Sequence, residues 1–376
     1  MKKTVTLFLL CALLCALFTG CGSSGAAGSS GGATLTLNVY NWGEYISDGS
    51  EGCYDTIAEF EKWYQDEYGQ KVKVNYDTFS SNEDLYAKLS AGAVSYDVIF
   101  PSDYMIARML KEDMLLELDF DNIPNISNID DEFRGLYYDP DDRYSVPYVT
   151  GVIGIIYDAN QVDEADAGDW DLLWNEKYAG SILQFNNPRD AFGTAMFKLG
   201  IDPNTTDKAE WDRAYDALMA QRELRYGLVM DEVFNLMESG ETAVAVYYVG
   251  DYFMMLDAAS DDVDLQFYAP TPTNYYIDAM CIPKGCQNKE LAERFINFML
   301  GRDAAVANAE YTCDASPNRL VYTDEEYAEE MGEDAMSILY PGSGTFSTIY
   351  NEVAFRNLPQ DILDYMSSLW ENVKMS

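Results

Sequence analysis

The chain has 376 residues, with 64 Asp and Glu against 24 Lys and Arg and no His, which gives a formal net charge of −40. This charge excludes nucleic acid as a partner, because phosphate binding needs clustered Lys and Arg, and it favours a polycation. The missing histidines exclude His-dependent catalytic triads and His-ligated metal sites. An apolar content of 48% and an aromatic content of 14% predict a folded chain with one or two substantial cores.

The first residues predict export. Lys2 and Lys3 precede an apolar run at 7–18, which is shorter than the roughly 20 residues needed to span a bilayer. A basic start followed by a short apolar run is typical of a secretory signal rather than of a transmembrane helix. Residues 1–20 are therefore predicted to be a signal peptide.

The stretch 18–21 resembles a bacterial lipobox, in which small residues precede a cysteine that becomes lipid-modified and N-terminal after cleavage. Residues 22–33 are only Gly, Ser and Ala, so residues 21–33 are predicted to form a flexible tether that holds a folded body clear of a membrane. We therefore expect an extracytoplasmic protein that is anchored to the cell membrane through a lipid on Cys21. Ordinary cleavage that leaves Cys21 as a free thiol is the alternative.

After the tether, the hydrophobic pattern alternates between strands and helices. Period-two alternation predicts strands at 35–40 and 72–76, and apolar residues at helical spacing predict a helix between them. Ser81 and Asp84 resemble the start of a capped helix, and an apolar strand follows at 98–100. Strands that alternate with helices indicate a parallel α/β sheet.

The second half of the body repeats this order. It contains predicted strands at 151–157, 181–185 and 242–249 and predicted helices at 191–199 and 211–221. These are too many strands for one compact sheet, and no low-complexity linker interrupts the body. The sequence therefore predicts two α/β lobes, each a mixed, mostly parallel sheet flanked by helices.

The lobes are predicted to be joined by two crossings of the chain, at Pro147–Gly151 and Tyr275–Ala279. The predicted boundaries are 34–148 and 278–320 for the first lobe and 149–277 and 321–376 for the second.

Four cysteines remain in the body, and they are Cys53, Cys281, Cys286 and Cys313. Their spacing matches no metal motif. The three full disulfide pairings and free buried thiols all stay open.

Acidic and aromatic residues follow the predicted strands, at the position where open α/β sheets bind ligands. These segments are Tyr40–Tyr45, Pro101–Tyr104, Asn186–Asp190, Tyr247–Asp251 and Tyr275–Asp278. Aromatic faces cover methylene groups and attract cations by about 0.5–2 kcal/mol, while carboxylates hydrogen-bond ammonium groups. The set favours a flexible alkyl chain that carries ammonium groups at intervals. Packing of the aromatic rings between lobes, and acids that only stabilise helix starts, are the alternatives.

Seven segments, in order along the chain, resemble the spermidine/putrescine-binding proteins of bacterial polyamine ABC importers. They are YNWGEY at 40–45, SSNE at 80–83, YDVIFPS at 96–102, SVPY at 145–148, YIDAMCIP at 276–283, INFML at 296–300 and SPN at 316–318. The resemblance implies a two-lobed periplasmic-binding-protein fold of type II, a Venus flytrap, with the ligand between the lobes. It also implies a monomeric lipoprotein that delivers polyamine to an ABC permease, without enzyme activity, cofactor or metal.

The resemblance further implies which residues contact the ligand. They are Trp42, Glu44, Tyr45, Ser102, Tyr104, Asp190, Tyr248, Tyr276 and Asp278. Of these, Asp190 and Asp278 are expected to hold ammonium groups, and the two later tyrosines stack where the family often has Trp.

Three positions depart from the residues that are usual in this family. Gly43 replaces a hydroxyl residue, Asn187 replaces an Asp, and Asp314 replaces a Tyr. One carboxylate is lost and another is gained, so Asp314 is included in the predicted site.

Two other functions stay open. One is a solute-binding protein for another small cationic or polar ligand, and the other is a secreted hydrolase that uses two carboxylates as acid and base. The signal peptide, the absence of His and the lack of a nucleophile motif favour a binding protein over the hydrolase. Asp139, in contrast to the site acids, is predicted to lie in a solvated loop and to have little effect on binding.

Overall fold

The computed structural model describes residues 33–340, 349–350 and 352–375. The predicted signal peptide, Cys21 and all but the last residue of the predicted tether lie outside the described residues. Within the described part, no helix is long and apolar enough to cross a membrane.

Nine strands in the described part form one hydrogen-bonded sheet. They are β1 (Leu35–Trp42), β2 (Val72–Phe79), β3 (Val98–Ile99), β4 (Ser145–Asp158), β5 (Ile182–Phe185), β6 (Arg225–Val229), β7 (Val244–Tyr248), β8 (Leu265–Tyr268) and β9 (Tyr275–Cys281). Their order is β2-β1-β3-β9-β4-β7-β5-β6, and β8 pairs with β4 outside this path. Parallel pairs join β1 to β2 and β3, and β5 to β6 and β7, whereas β4 and β9 run antiparallel to their neighbours.

The long strand β4 belongs to both halves of the sheet. Residues 145–152 pair with β9, and residues 153–158 pair with β7 and β8. The chain therefore passes between the halves in extended backbone, next to the antiparallel strand β9.

Helices cover the two halves of the sheet. They are α1 (Thr56–Tyr68), α2 (Asn82–Ala91), α3 (Asp103–Lys111), α4 (Pro188–Leu199), α5 (Lys208–Gln221), α6 (Glu232–Glu238), α7 (Val249–Ala258), α8 (Lys289–Met299), α9 (Arg302–Thr312), α10 (Arg319–Tyr322), α11 (Glu325–Leu339) and α12 (Gln360–Met375).

The buried apolar residues separate into two main clusters. The first contains residues from 37–149 and 276–300, and the second contains residues from 153–265 and 355–373. The change of cluster falls within β4, between Val149 and Ile153. Two cores joined by long strands confirm the predicted two-lobed α/β fold, while the exact lobe boundaries stay a prediction.

The structure extends several predicted elements. The predicted strand at 151–157 begins six residues earlier, so the predicted crossing at Pro147–Gly151 is itself part of β4. The predicted helix at 191–199 begins at Pro188, after an Asn187 side chain that accepts a hydrogen bond from the N–H of Asp190. Strands β6 and β8 are not predicted by the sequence pattern, and β9 coincides with the segment that is predicted only as the second crossing.

The prediction that Asp139 lies in a solvated loop is wrong. Its side chain is 3% exposed and accepts hydrogen bonds from the backbone N–H groups of Arg143, Tyr144 and Ser145 and from the hydroxyl of Ser145. This carboxylate organises the turn before β4. All four body cysteines are free thiols, and only Cys53 is exposed.

Candidate ligand-binding site

A cleft lies between the two apolar clusters and encloses about 850 Å³, part of it open to solvent. The side chains of Tyr104 and Tyr248 pack against both clusters, so they connect the two walls. Carboxylates dominate the polar lining, and they are Glu83, Asp103, Asp190, Asp231, Asp251, Asp278 and Asp314. No Lys or Arg stands among the described residues that line it.

Four helices begin at this cleft and bring acids to it in their first turns. Glu83 lies in the first turn of α2, Asp103 in that of α3, Asp190 in that of α4 and Asp251 in that of α7. A helix N-terminus stabilises a nearby negative charge, which partly offsets the cost of crowding these carboxylates. The acids therefore come together at the cleft because four helices with acidic first turns begin there.

Asp190 is held by two donors from the second lobe. Its Oδ2 accepts hydrogen bonds from the Tyr248 hydroxyl at 2.7 Å and from Nδ2 of Asn187 at 2.8 Å. Burial raises the pKa of Asp190, and these hydrogen bonds partly oppose that rise. Glu83 faces it from the first lobe, where its Oε1 accepts a hydrogen bond from the Tyr104 hydroxyl at 3.3 Å.

Asp278 lies on β9 and is 4% exposed. Its Oδ2 accepts a hydrogen bond from the Tyr45 hydroxyl at 2.7 Å, and its Oδ1 has no hydrogen-bond partner. Burial raises the pKa of Asp278 to about 6, the hydrogen bond from Tyr45 opposes that rise, and the charge of Asp190 raises the pKa further. A buried carboxylate oxygen without a donor is costly, so this position is suited to a cation.

Asp314 follows α9 and is 6% exposed, and its Oδ1 also has no hydrogen-bond partner. Burial raises its pKa well above the usual range, and the charges of Asp251 and Asp278 raise it further. Burial, and then the charge of Asp231, raises the pKa of Asp251 to about 8. Asp314 and Asp251 therefore form a further group of acids in the cleft, in addition to Asp190 with Glu83 and to Asp278.

Aromatic rings form the apolar walls. The Tyr248 and Tyr276 rings meet edge to face with centroids 5.5 Å apart, and the Trp42 and Tyr45 rings meet with centroids 6.5 Å apart. The indole N–H of Trp42 donates to the Phe100 carbonyl at 2.9 Å, so its orientation is fixed. Rings fixed in this way offer flat faces to methylene groups and to cations.

The structure brings nine of the ten predicted contact residues to the cleft lining. They are Trp42, Tyr45, Ser102, Tyr104, Asp190, Tyr248, Tyr276, Asp278 and Asp314. Glu44 does not line it, because this residue is exposed in a left-handed backbone conformation and its carboxylate accepts a hydrogen bond from the Tyr311 hydroxyl. Ser102 stands at the N-cap of α3, but its hydroxyl accepts a hydrogen bond from Nδ2 of Asn82 instead of capping the helix.

Sequence reasoning missed Phe79, Met230, Asp231, Asn274 and Phe355 in the lining, and the predicted contacts do not include the acids Glu83, Asp103 and Asp251. Asp231 lies two residues after β6, so a correct prediction of that strand would have placed it among the residues that follow strands. Asn274 and Phe355 carry no such signal, since the fold alone brings them to the cleft.

The arrangement is suited to a ligand with separate positive charges and apolar links between them. Among the described residues, no three Asp, Glu or Cys side chains converge closely enough to hold a metal ion. Ammonium groups can instead take up the partnerless oxygens one at a time, because each carboxylate is a strong hydrogen-bond acceptor.

Comparison with known proteins agrees with this geometry. Residues 55–332 match the family of bacterial extracellular solute-binding proteins. The spermidine/putrescine-binding periplasmic protein of Escherichia coli strain K12 is 33% identical over 286 residues, which cover 75% of this chain and 78% of that protein.

Two solved structures are similar over nearly the whole body. The spermidine/putrescine ABC transporter substrate-binding protein PotD of Streptococcus pneumoniae is 32% identical with a TM-score of 0.70, covering 91% of this chain and 99% of that chain. The TpPotD lipoprotein of Treponema pallidum is 25% identical with a TM-score of 0.70, covering 91% of this chain and 100% of that chain.

Proposed function

The chain belongs to the family of bacterial extracellular solute-binding proteins, and we propose that it captures a polyamine, putrescine or spermidine, between its two lobes. The observation that carries the proposal is the lining of the cleft, which has seven carboxylates, several aromatic rings and no Lys or Arg among its described residues. Such a lining attracts cations and repels anions. A neutral sugar carries no positive charge that could compensate these buried carboxylates.

The positions of the two partnerless oxygens support a ligand with more than one cationic nitrogen. Oδ1 of Asp278 and Oδ1 of Asp314 are both buried without donors, and the carboxylate of Asp190 lines the same cleft. A polyamine supplies ammonium donors at intervals of three or four methylenes. The rings of Trp42 and Tyr276 then cover the methylenes between them.

In this proposal, the predicted site residues that line the cleft act as the ligand contacts, with Asp190 and Asp278 as the main ammonium partners. Glu44 contributes negative potential from the rim rather than direct contact.

We propose in addition that the protein is exported, is attached to the membrane through Cys21, acts as a monomer and delivers its ligand to an ABC permease. The lipobox-like stretch and the Gly, Ser and Ala tether support attachment. The similar Treponema pallidum protein, which is described as a lipoprotein, supports it as well.

Ligand-dependent thermal unfolding tests the proposed function. Putrescine, spermidine, agmatine, an uncharged sugar and a zwitterionic amino acid are each added to the purified body at equal concentration. A ligand at 100 times its dissociation constant stabilises a protein by about 2.7 kcal/mol, so the polyamines are expected to raise the melting temperature by several degrees. Stabilisation by the sugar or the amino acid and not by any polyamine contradicts the proposal.

Replacement of Cys21 by Ser tests the anchor. Without the thiol no lipid can be attached, so the variant is expected in the medium or the soluble extracytoplasmic fraction while the wild type stays with membranes. Immunoblots of both fractions make the measurement, and Cys53→Ser, which removes an exposed body thiol, is the control. A Cys21→Ser variant that stays in the membrane fraction rules out the lipid anchor.

A further inference from the structure

The cleft contains acids beyond those that a diamine needs. Asp190 with Glu83 forms one group and Asp278 forms a second, while Asp314 with Asp251 forms a third. All three groups line the same cleft. Asp278 is the group that interacts with both of the others by charge, since Asp190 raises the pKa of Asp278 and Asp278 raises the pKa of Asp314.

The third group is a built feature of the fold. The segment that carries Asp314 is tied to the crossing strand, because the N–H of Thr150 donates to the Ala315 carbonyl at 2.9 Å. The Asp314 carboxylate packs against the start of α7, where a Cβ on Gly250 would lie 2.0 Å from its Oδ1. A glycine at this position lets a buried carboxylate approach the cleft.

Nothing in the described structure neutralises this group. No ion pair includes Asp314 or Asp251 among the described residues, and Oδ1 of Asp314 has no donor. The Tyr276 ring lines the cleft together with these acids. Burial raises the pKa of its hydroxyl, and the charges of Asp314, Asp278, Asp251 and Asp190 raise it further. A cationic chain that follows this ring would place one end at Asp314.

We propose that Asp314, together with Asp251, forms a third cation subsite, and that this subsite makes the protein select polyamines with three cationic nitrogens over diamines. The inference rests on the proposed polyamine function and adds the number of charges that the cleft accepts. A triamine fills all three groups. A diamine fills the Asp190 and Asp278 groups, which hold the main ammonium partners, and leaves the third as uncompensated buried acid.

Calorimetric titration of spermidine and putrescine into the wild type and Asp314→Asn tests the subsite. The Asn side chain has nearly the same shape as the Asp side chain, so the change removes the charge and preserves the shape. We expect the wild type to bind spermidine at least about tenfold more tightly than putrescine. Asp314→Asn is expected to weaken the binding of spermidine at least about tenfold and the binding of putrescine less than about threefold. A diamine is affected less because the Asp190 and Asp278 groups are both intact in this variant.

Asp141→Asn is the matched control, since it removes one negative charge from an exposed residue and should change both affinities by less than about threefold. If Asp314→Asn does not fold, Asp251→Asn gives the same comparison within the same subsite. If the variant binds both ligands equally more weakly, or binds both as tightly as the wild type, the proposal of a third subsite is wrong, while the proposal of polyamine binding stands. Failure of the wild type to bind either ligand overturns the proposed function itself.

Discussion

Single carboxylates determine how the cleft behaves, because a carboxylate that leaves water without gaining a cation favours its neutral form. Asp278 and Asp251 illustrate this effect, since burial raises their pKa values to about 6 and about 8. The sequence indicates that burying Asp278 is costly, because this acid stands alone between Ile277 and the apolar residues 279–282. It could not predict the raised pKa of Asp251, which depends first on burial in the cleft and then on the charge of its spatial neighbour Asp231.

These pKa values predict that polyamine affinity rises with pH. An ammonium group favours the ionised carboxylate, so binding lowers both pKa values and releases protons. Each proton released makes the logarithm of the association constant rise by one per pH unit. Because alkyl ammonium groups stay charged up to a pH of about 10, we expect affinity to increase at least about tenfold between about pH 5.5 and 7.5.

Titration calorimetry at several pH values makes this measurement. Asp278→Asn removes one of the titrating groups, so a shallower pH dependence is expected for that variant. An affinity that stays flat or falls over this range would show that the cleft acids are already fully ionised without ligand.

The elements of the fold explain which parts of the sequence were informative. Alternation predicts β1 and β2, because each has one buried face. Strand β6 is missed because it lies at the edge of the sheet and contains an Arg and a central Gly. Strand β4 is predicted too short, since Pro147 suggests a break where the chain in fact continues with a register shift.

Strand β4 also positions the cleft through Gly151. A Cβ at this residue would lie 2.4 Å from the Tyr276 hydroxyl oxygen and 2.7 Å from the ring carbon that carries it. Gly151→Ala is therefore expected to displace the Tyr276 ring, destabilise the protein by about 1–3 kcal/mol and weaken polyamine binding at least about tenfold. Thermal unfolding and titration measure the two effects.

Gly227→Ala is the matched control, because Gly227 lies in strand β6 and an added Cβ meets nothing within 4 Å. We expect little change in either measurement for that variant. Unchanged polyamine affinity in Gly151→Ala would show that the position of the Tyr276 ring does not matter for binding.

At the scale of the whole molecule, the described residues form two main cores joined by β4 and β9, with proposed ligand contacts on both sides. Trp42 and Asp278 lie in or beside the first core, and Asp190 lies in the second lobe. A ligand that touches both walls favours the conformation in which they approach each other, and extended strands at the crossing can bend as a hinge. Two sequence features made this two-lobed architecture predictable. They are the resemblance to polyamine-binding proteins and the order of strands and helices that is repeated in the second half of the body.

Small-angle scattering tests this closure. The radius of gyration of the ligand-free protein is expected to exceed that of the polyamine-saturated protein, because free lobes separate. Asp278→Asn at the same polyamine concentration should remain closer to the ligand-free value. Equal radii with and without ligand would mean that binding does not depend on lobe movement.

Titration of spermidine and putrescine into the wild type, Asp190→Asn, Asp278→Asn and Asp141→Asn tests the central claim most directly. Removing one member of a desolvated charge pair typically costs about 2–5 kcal/mol, so either cleft variant should lose at least about 30-fold in affinity for both ligands while remaining folded. Asp141→Asn, whose side chain is exposed, should lose less than about threefold. Equal small losses in all three variants would show that the acidic surface attracts polyamines diffusely and that the cleft is not a specific polyamine site.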